Sequence, residues 1–193
     1  IEALAGYSYQ YNEYEGFNAN NTNFMSDFYQ DNNIGVGGFL KDGKAGMGSY
    51  KSDNTLVGFF GRISYGYADK YNVLVSVRRE GSSKFGANNK WGTFPSVSLA
   101  WRISKESWFP QSEVVSDLKL RAGYGVTGNQ ASIGNYDFAA LFDIRKYAFG
   151  GEVVDALTTT SLYNPDIRWE AIHQANIGVD LSLFNSRVNL SLD

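Results

Sequence analysis

The feature that most constrains this chain is a two-residue alternation that keeps returning. In Leu56–Ala68, the residues Val57, Phe59, Gly61, Ile63, Tyr65 and Tyr67 alternate with Gly58, Phe60, Arg62, Ser64 and Gly66. Successive side chains of a strand point to opposite faces, so such a run reads as a strand with one apolar and one polar side. The same pattern occupies Ile1–Tyr11, Tyr71–Arg79, Ser96–Ser104, Leu118–Thr127, Trp169–Leu183 and Val188–Leu192. About seven antiparallel strands are expected, and the class is all-β. No apolar run approaches the roughly 20 residues of a membrane-spanning helix.

Connection lengths carry the next step. Asn12–Tyr50 and Gly128–Arg168 show no sustained period, and Arg78–Ser98 holds a polar loop between two strands. Between these long connections fall short or medium ones at Ala68–Lys70, Lys105–Asp117 and Phe184–Ser186. Transmembrane β-barrels show this asymmetry, with short periplasmic turns at one rim and long extracellular loops at the other. Tyr65, Tyr67, Tyr71, Trp101, Trp108, Phe109 and Phe184 all gather beside the short connections. Amphipathic rings gather in this way where headgroups begin. A soluble sandwich with one hydrated face explains the alternation equally well. Strand length favours the barrel, since several runs reach the about 9–11 residues needed to cross a bilayer, against about 5–6 in globular proteins.

Composition and motifs exclude several chemistries. Net charge is -3, so the basic footprint of a nucleic-acid binder is missing. The absence of cysteine rules out disulfides and thiolate metal sites. His173 is the only histidine and lies in phase with Ala175 and Ile177, which suits a structural or interfacial role. GKAGMGS (Gly43–Ser49) lacks the closing Gly-Lys-Ser/Thr of a phosphate loop. Asp27, Asp31, Asn32 and Asn33 offer oxygens without EF-hand spacing. Nothing positions Glu13 and Glu15 as paired acids, and solvated loop charges are the simpler reading. No catalytic residue, metal or cofactor is expected. The aromatic side chains of Tyr14, Phe17, Phe28, Tyr29 and Trp91 are candidates to stack on substrate or meet a lid protein, with packing of loop on loop as the alternative.

Four blocks in order carry a resemblance: GRISYGYADKYNVLVSVRREGSSKFGANNKWGTFPSVSLAWRISKE (Gly61–Glu106), SDLKLRAGYGVTGNQ (Ser116–Gln130), NPDIRWE (Asn164–Glu170) and QANIGVDLSLFNSRVNLSLD (Gln174–Asp193). Together they resemble the SusC/RagA-type TonB-dependent transporters of the Bacteroidota outer membrane. The signature residues are Arg79, Glu80, Gly81, Ser82, Ser83, Phe85, Phe94, Pro95, Gly128, Asn129, Gln130, Trp169 and Glu170. Glu80 departs from the family's usual Asp. The match covers most of residues 54–193 and implies part of a 22-stranded barrel, with 1–193 forming part of one barrel domain. Both termini fall within alternating runs, so an internal piece of a longer chain is expected.

The resemblance further implies a plug domain in the lumen, a SusD-like surface lipoprotein as lid, and energy from the TonB complex through the plug. Outer-membrane lipid would surround the barrel, and the cargo would be oligosaccharides or peptides. Arg62, Arg78, Arg102 and Arg121 then point toward the lumen, to meet acidic substrate groups or, in preference, carboxylates of the plug. The rival reading is an extracellular carbohydrate-binding sandwich or adhesin domain.

Overall fold

The computed structural model describes residues 1–29, 32–110 and 112–193, with Tyr29 described through its backbone only. Asp31, named above as an oxygen donor, and the Tyr29 side chain, named as a stacking candidate, lie outside the described residues. The alternating runs become β1 (Glu2–Asn20), β2 (Gly46–Tyr67), β3 (Tyr71–Ser82), β4 (Trp91–Arg102) and β5 (Val115–Asn129). After β6 (Leu141–Phe149) and β7 (Glu152–Ser161) come β8 (Glu170–Leu183) and β9 (Val188–Leu192). One sheet has the order β1-β2-β3-β4-β5-β8-β9, while β6 and β7 form a hairpin of their own. The strands divide between two compact units, residues 11–54 and residues 1–10 with 55–193.

In the larger unit, register carries one alternation across every strand. Ile63 faces Val75 and Val75 faces Val97; Leu99 faces Ala122, which in turn faces Ile177. On the other side Arg62 faces Ser76, Ser98 faces Gly123, and Lys119 faces Asp180. Phe60, Leu74 and Phe94 fall on the polar side. Because the side-chain period is two, this in-phase pairing still keeps Ile63, Val75, Val97, Leu99, Ala122 and Ile177 together on the opposite face. That face is bare: Val75 and Leu99 are each 50% exposed and Ile177 is 76% exposed. A sandwich would bury such a face under a second sheet; among the described residues nothing covers it.

The short connections are tight turns. Ala68 and Asp69 have φ of 51° and 59°, and Lys70 N–H donates to Tyr67 C=O at 2.9 Å. Consecutive left-handed residues give the twist that two-residue hairpin turns require. Beside these turns the aromatic rings form a chain. Tyr67 stacks on Tyr71, Tyr71 on Trp101, and Trp101 meets Trp108 edge-on, with centroids 6.4–6.5 Å apart. Below it, the Glu106 carboxylate accepts from the Tyr71 hydroxyl, from Trp101 Nε1 at 3.0 Å and from Lys70 Nζ at 3.0 Å.

These donors, Tyr71 first, then Lys70 and Trp101, hold the Glu106 carboxyl at about 2, down from an ordinary 4.5. A carboxyl depressed in the folded state stabilises fully above its unfolded pKa and loses that contribution as it protonates. Thermal stability is therefore expected to fall as pH drops from 4.5 toward 2. Glu106→Gln should flatten that part of the profile, measured as the unfolding midpoint of the detergent-solubilised barrel. An identical acid limb in the variant would show that Glu106 does not contribute to it.

Three expectations change. The Asn-rich stretch 12–50 is not irregular throughout: β1 runs on to Asn20 and β2 begins at Gly46, so the glycine run at 43–49 enters a strand. Within the smaller unit Asn12 Nδ2 donates to Asn54 Oδ1 at 2.9 Å, and Asn21 Nδ2 caps Ile34 and Gly37 carbonyls at 2.8 and 2.9 Å. Side-chain amides supply there the order that apolar alternation supplies elsewhere. The stretch 128–168 contains the β6–β7 hairpin. The polar loop inside Arg78–Ser98 shrinks to residues 83–90, since β3 extends to Ser82 and β4 starts at Trp91.

Candidate functional site

Three of the four signature blocks, far apart in sequence, converge at the rim carrying the long connections. Phe85 is fully buried and Phe94 is 8% exposed, the two buried hydrophobic residues among those described. The Trp169 ring joins them, its centroid 5.0 Å from Phe85 and 5.4 Å from Phe94. A side chain at Gly128 would collide with the Phe94 ring, which is why a close approach needs glycine there.

Hydrogen bonds lock the same loop. Trp169 Nε1 donates to Lys90 C=O at 3.1 Å, Asn89 Nδ2 to Pro165 C=O at 3.1 Å, and Lys84 Nζ to Ile133 C=O at 2.8 Å. Thr55 and Ser83 bond reciprocally, Ser83 N–H to Thr55 C=O at 3.0 Å and Thr55 N–H to Ser83 Oγ at 2.9 Å. Ser82 is buried, with its Oγ accepting from Lys84 N–H. Asn129 Nδ2 reaches Glu170 Oε2 at 2.7 Å. Gln130 Oε1 is buried without a hydrogen-bond partner among the described residues. The cluster pins loop 83–90 to segment 164–170. Its chemistry is structural: it presents no nucleophile with a base.

The polar face carries the arginines, and this chain itself supplies carboxylates for three of them. Arg78 Nη2 lies 2.6 Å from Glu80 Oε1, with the guanidinium 5.8 Å from the Phe60 ring centroid. Arg102 Nε is 3.3 Å from Asp117 Oδ2, a charge contact without hydrogen-bond alignment, and its Nη1 is 3.7 Å from Asp69. Arg121 reaches Asp180 at 2.9 Å and Asp193 at 2.8 Å, while Lys119 also meets Asp180 at 3.3 Å. Arg62 alone of the four has no ion pair among the described residues. The lumen charges were expected to meet acidic substrate groups or, in preference, plug carboxylates. Within this chain Arg78 already has an acid two positions along its own strand, Arg102 has acids beside turns, and Arg121 has one on the neighbouring strand. Lys119 and Asp180 in phase on neighbouring strands were the readable signal, whereas Asp117 and Asp69 sit beside turns and gave none.

The candidate binding aromatics are divided between the two units. Trp91 stands on the apolar face of β4, its ring across Gly81 and 6.2 Å from Phe59, which meets Tyr7 at 5.3 Å. Arg79 projects from that same face and sits 5.7 Å over the Trp91 ring, on a strand and not in the loop expected of it. Pro95 is also on this face, opposite Val77. In the smaller unit Tyr14, Phe17 and Phe28 are 54%, 85% and 86% exposed. Tyr14 and Phe17, three positions apart on β1, point to opposite sides. Glu13 and Glu15 flank one Lys51 at 3.0 and 3.9 Å, an exposed ion cluster. His173 Nδ1 pairs with the Tyr124 hydroxyl at 2.8 Å.

Comparison with known proteins accounts for this arrangement. Residues 2–193 match the family described as TonB dependent receptor-like, beta-barrel. The chain is 36% identical over its whole length to TonB-dependent receptor P3 of Formosa agariphila, covering 19% of that protein. It is 34% identical over 75% of its length to TonB-dependent receptor SusC of Bacteroides thetaiotaomicron, covering 15% of that protein. The RagAB peptide importer in its closed-closed state superposes with a TM-score of 0.78 at 30% identity, over 98% of this chain and 20% of that one. The chain thus spans under a fifth of these curated relatives' length. Its bare apolar face, opposed polar face and tight aromatic-lined turns are those of an outer-membrane wall, and the chain belongs to the TonB-dependent receptor β-barrel family, with SusC and RagA among its relatives.

Proposed function

We propose that the protein forms the barrel wall of a SusCD-like complex that imports glycan oligomers or peptides too large for porins. The observation that carries this reading is the opposition of two faces in one sheet. One offers 50–76% exposed Val75, Leu99 and Ile177 to lipid; the other lines an interior with arginine–carboxylate pairs and small polar residues. A polar interior suits passage of a polar cargo, and the family is one of receptors and transporters, not enzymes. The exposed Tyr14, Phe17 and Phe28 suit capture of cargo or contact with a SusD-like lid. Arg62, without an ion pair among the described residues, suits a plug carboxylate. The sandwich alternative needs a second sheet, and none covers the apolar face among the described residues.

Uptake in the native host provides the test. Cells lacking the receptor should lose import of a labelled oligosaccharide or a labelled oligopeptide, and the same import should stop in wild-type cells when the proton gradient is collapsed. Unchanged uptake of both cargo classes after deletion would overturn the proposal.

A further inference from the structure

The lipid-facing surface carries one conspicuous anomaly. Across the strands of the larger unit, in-phase register places Arg62, Arg78, Arg102, Lys119, Arg121, Glu80 and Asp180 on the polar side. Arg79 stands on the other side, opposite Phe59 and Thr93, and is the one Lys, Arg, Asp or Glu on that face of the described strands in this unit. It is exposed, and no carboxylate of the described residues reaches it. A cation on a lipid face is costly at the bilayer centre and nearly free at the interface, so its height decides what it meets.

That height follows from the strand. Arg79 lies eight positions after Tyr71, a member of the aromatic chain at the short-turn rim. At about 3.3 Å per residue and a tilt of about 40°, this is about 20 Å along the membrane normal, near the top of an apolar band about 25 Å tall. A long arginine reaches further up toward the headgroups. Trp91 lies flat beneath the guanidinium, 5.7 Å from centroid to charge, and Phe59 extends the aromatic floor. The ring supports the cation through its face and leaves the N–H edges free.

We propose that Arg79, seated on Trp91, binds the phosphate of an outer-leaflet glycolipid headgroup, with Phe59 and Tyr7 against the first part of its acyl chains. A planar guanidinium fork matches phosphate in a bidentate, charge-assisted pair. The outer surface of an outer-membrane protein meets such headgroups at this level, and the plug and cargo lie on the opposite side of the wall. The inference rests on the barrel assignment and is independent of what is imported.

The test uses the full-length receptor in mild detergent, with native mass spectrometry of bound lipid. Probes are phosphorylated lipid A, the same lipid after phosphatase treatment, and inorganic phosphate as competitor. Arg79→Ala and Arg79→Gln should each weaken retention of phosphorylated lipid A on the order of tenfold. Arg187→Ala, at the β8–β9 turn, should leave it unchanged. Heat-modifiable migration on gels verifies that each variant is folded, and the Gln variant keeps polar bulk should the Ala variant fail. Equal retention of the dephosphorylated lipid, or undiminished binding by both Arg79 variants, would overturn the proposal. So would displacement by millimolar inorganic phosphate, which would mark a site for free anions.

Discussion

Phe85→Ala in the full-length receptor is expected to lower unfolding free energy by about 3–5 kcal/mol, the cost of emptying a buried aromatic site. Phe85 is fully buried, yet it belongs to a loop of residues 83–90 between β3 and β4. Its burial comes from Trp169 at 5.0 Å, on a segment some eighty positions away. Losing the ring removes the contact that closes loop 83–90 onto 164–170. Proteolysis within 83–90 should accelerate alongside the shift in the denaturant midpoint. Phe28→Ala, at an 86% exposed ring, should move neither. An unchanged midpoint with an unchanged digestion pattern in Phe85→Ala would mean that the cluster is not the anchor of this rim.

Val75→Arg is expected to cost about 2–4 kcal/mol, since it lies near mid-strand on the lipid-facing side, where arginine is most expensive. Leu99→Arg should cost less, since Leu99 pairs with Val73 two positions from the Tyr71–Trp101 rim. Their neighbours give the control. Ser98 faces Gly123 on the polar side, so Ser98→Arg has open space and should be nearly neutral. Ser76 shares a hydroxyl pair with Ser96 at 2.7 Å, so Ser76→Arg also loses about 1 kcal/mol of hydrogen bonding. Folding into lipid vesicles followed by denaturant titration measures all four. Equal costs on both faces would invert or abolish the assignment of lipid and lumen.

Particular residues show why some of this was readable in the chain and some was not. Val75 and Val77 alternate with Ser76 and Arg78 because one side must face hydrocarbon, and that demand writes period two directly into sequence. Asn18, Asn20 and the β6–β7 residues meet water on both sides, so no such demand exists and their strands looked irregular. The signature residues Phe85, Phe94, Gly128 and Trp169 were recognisable as separate blocks. Their meeting was not, because it depends on the β5–β8 register that sets Gly128 opposite Ala171. Trp91 was grouped with the loop aromatics, and β4 begins at that residue. A strand boundary moved by a few positions places the Trp91 ring on the apolar face of β4, beside Phe59. Local patterns cannot fix such boundaries, which depend on cross-strand partners.

The Phe85–Phe94–Trp169 cluster also bears on how the sheet is assembled. Most neighbouring strands here follow each other in sequence, so hairpins such as β2–β3 and β3–β4 can form from local encounters. The pairing of β5 with β8 is different, because residues 130–169 must first be looped out. Closing a longer loop costs conformational entropy that grows slowly with length, about 0.6 kcal/mol per doubling. The separate β6–β7 hairpin shortens the free part of that excursion, and the aromatic clasp lies at its far end. Non-local pairings are slow to form; here Phe85 and Phe94, at the β3–β4 connection, give Trp169 a contact that accompanies the β5–β8 pairing. The rim cluster thus ties the non-local pairing of β5 with β8 to the local β3–β4 hairpin.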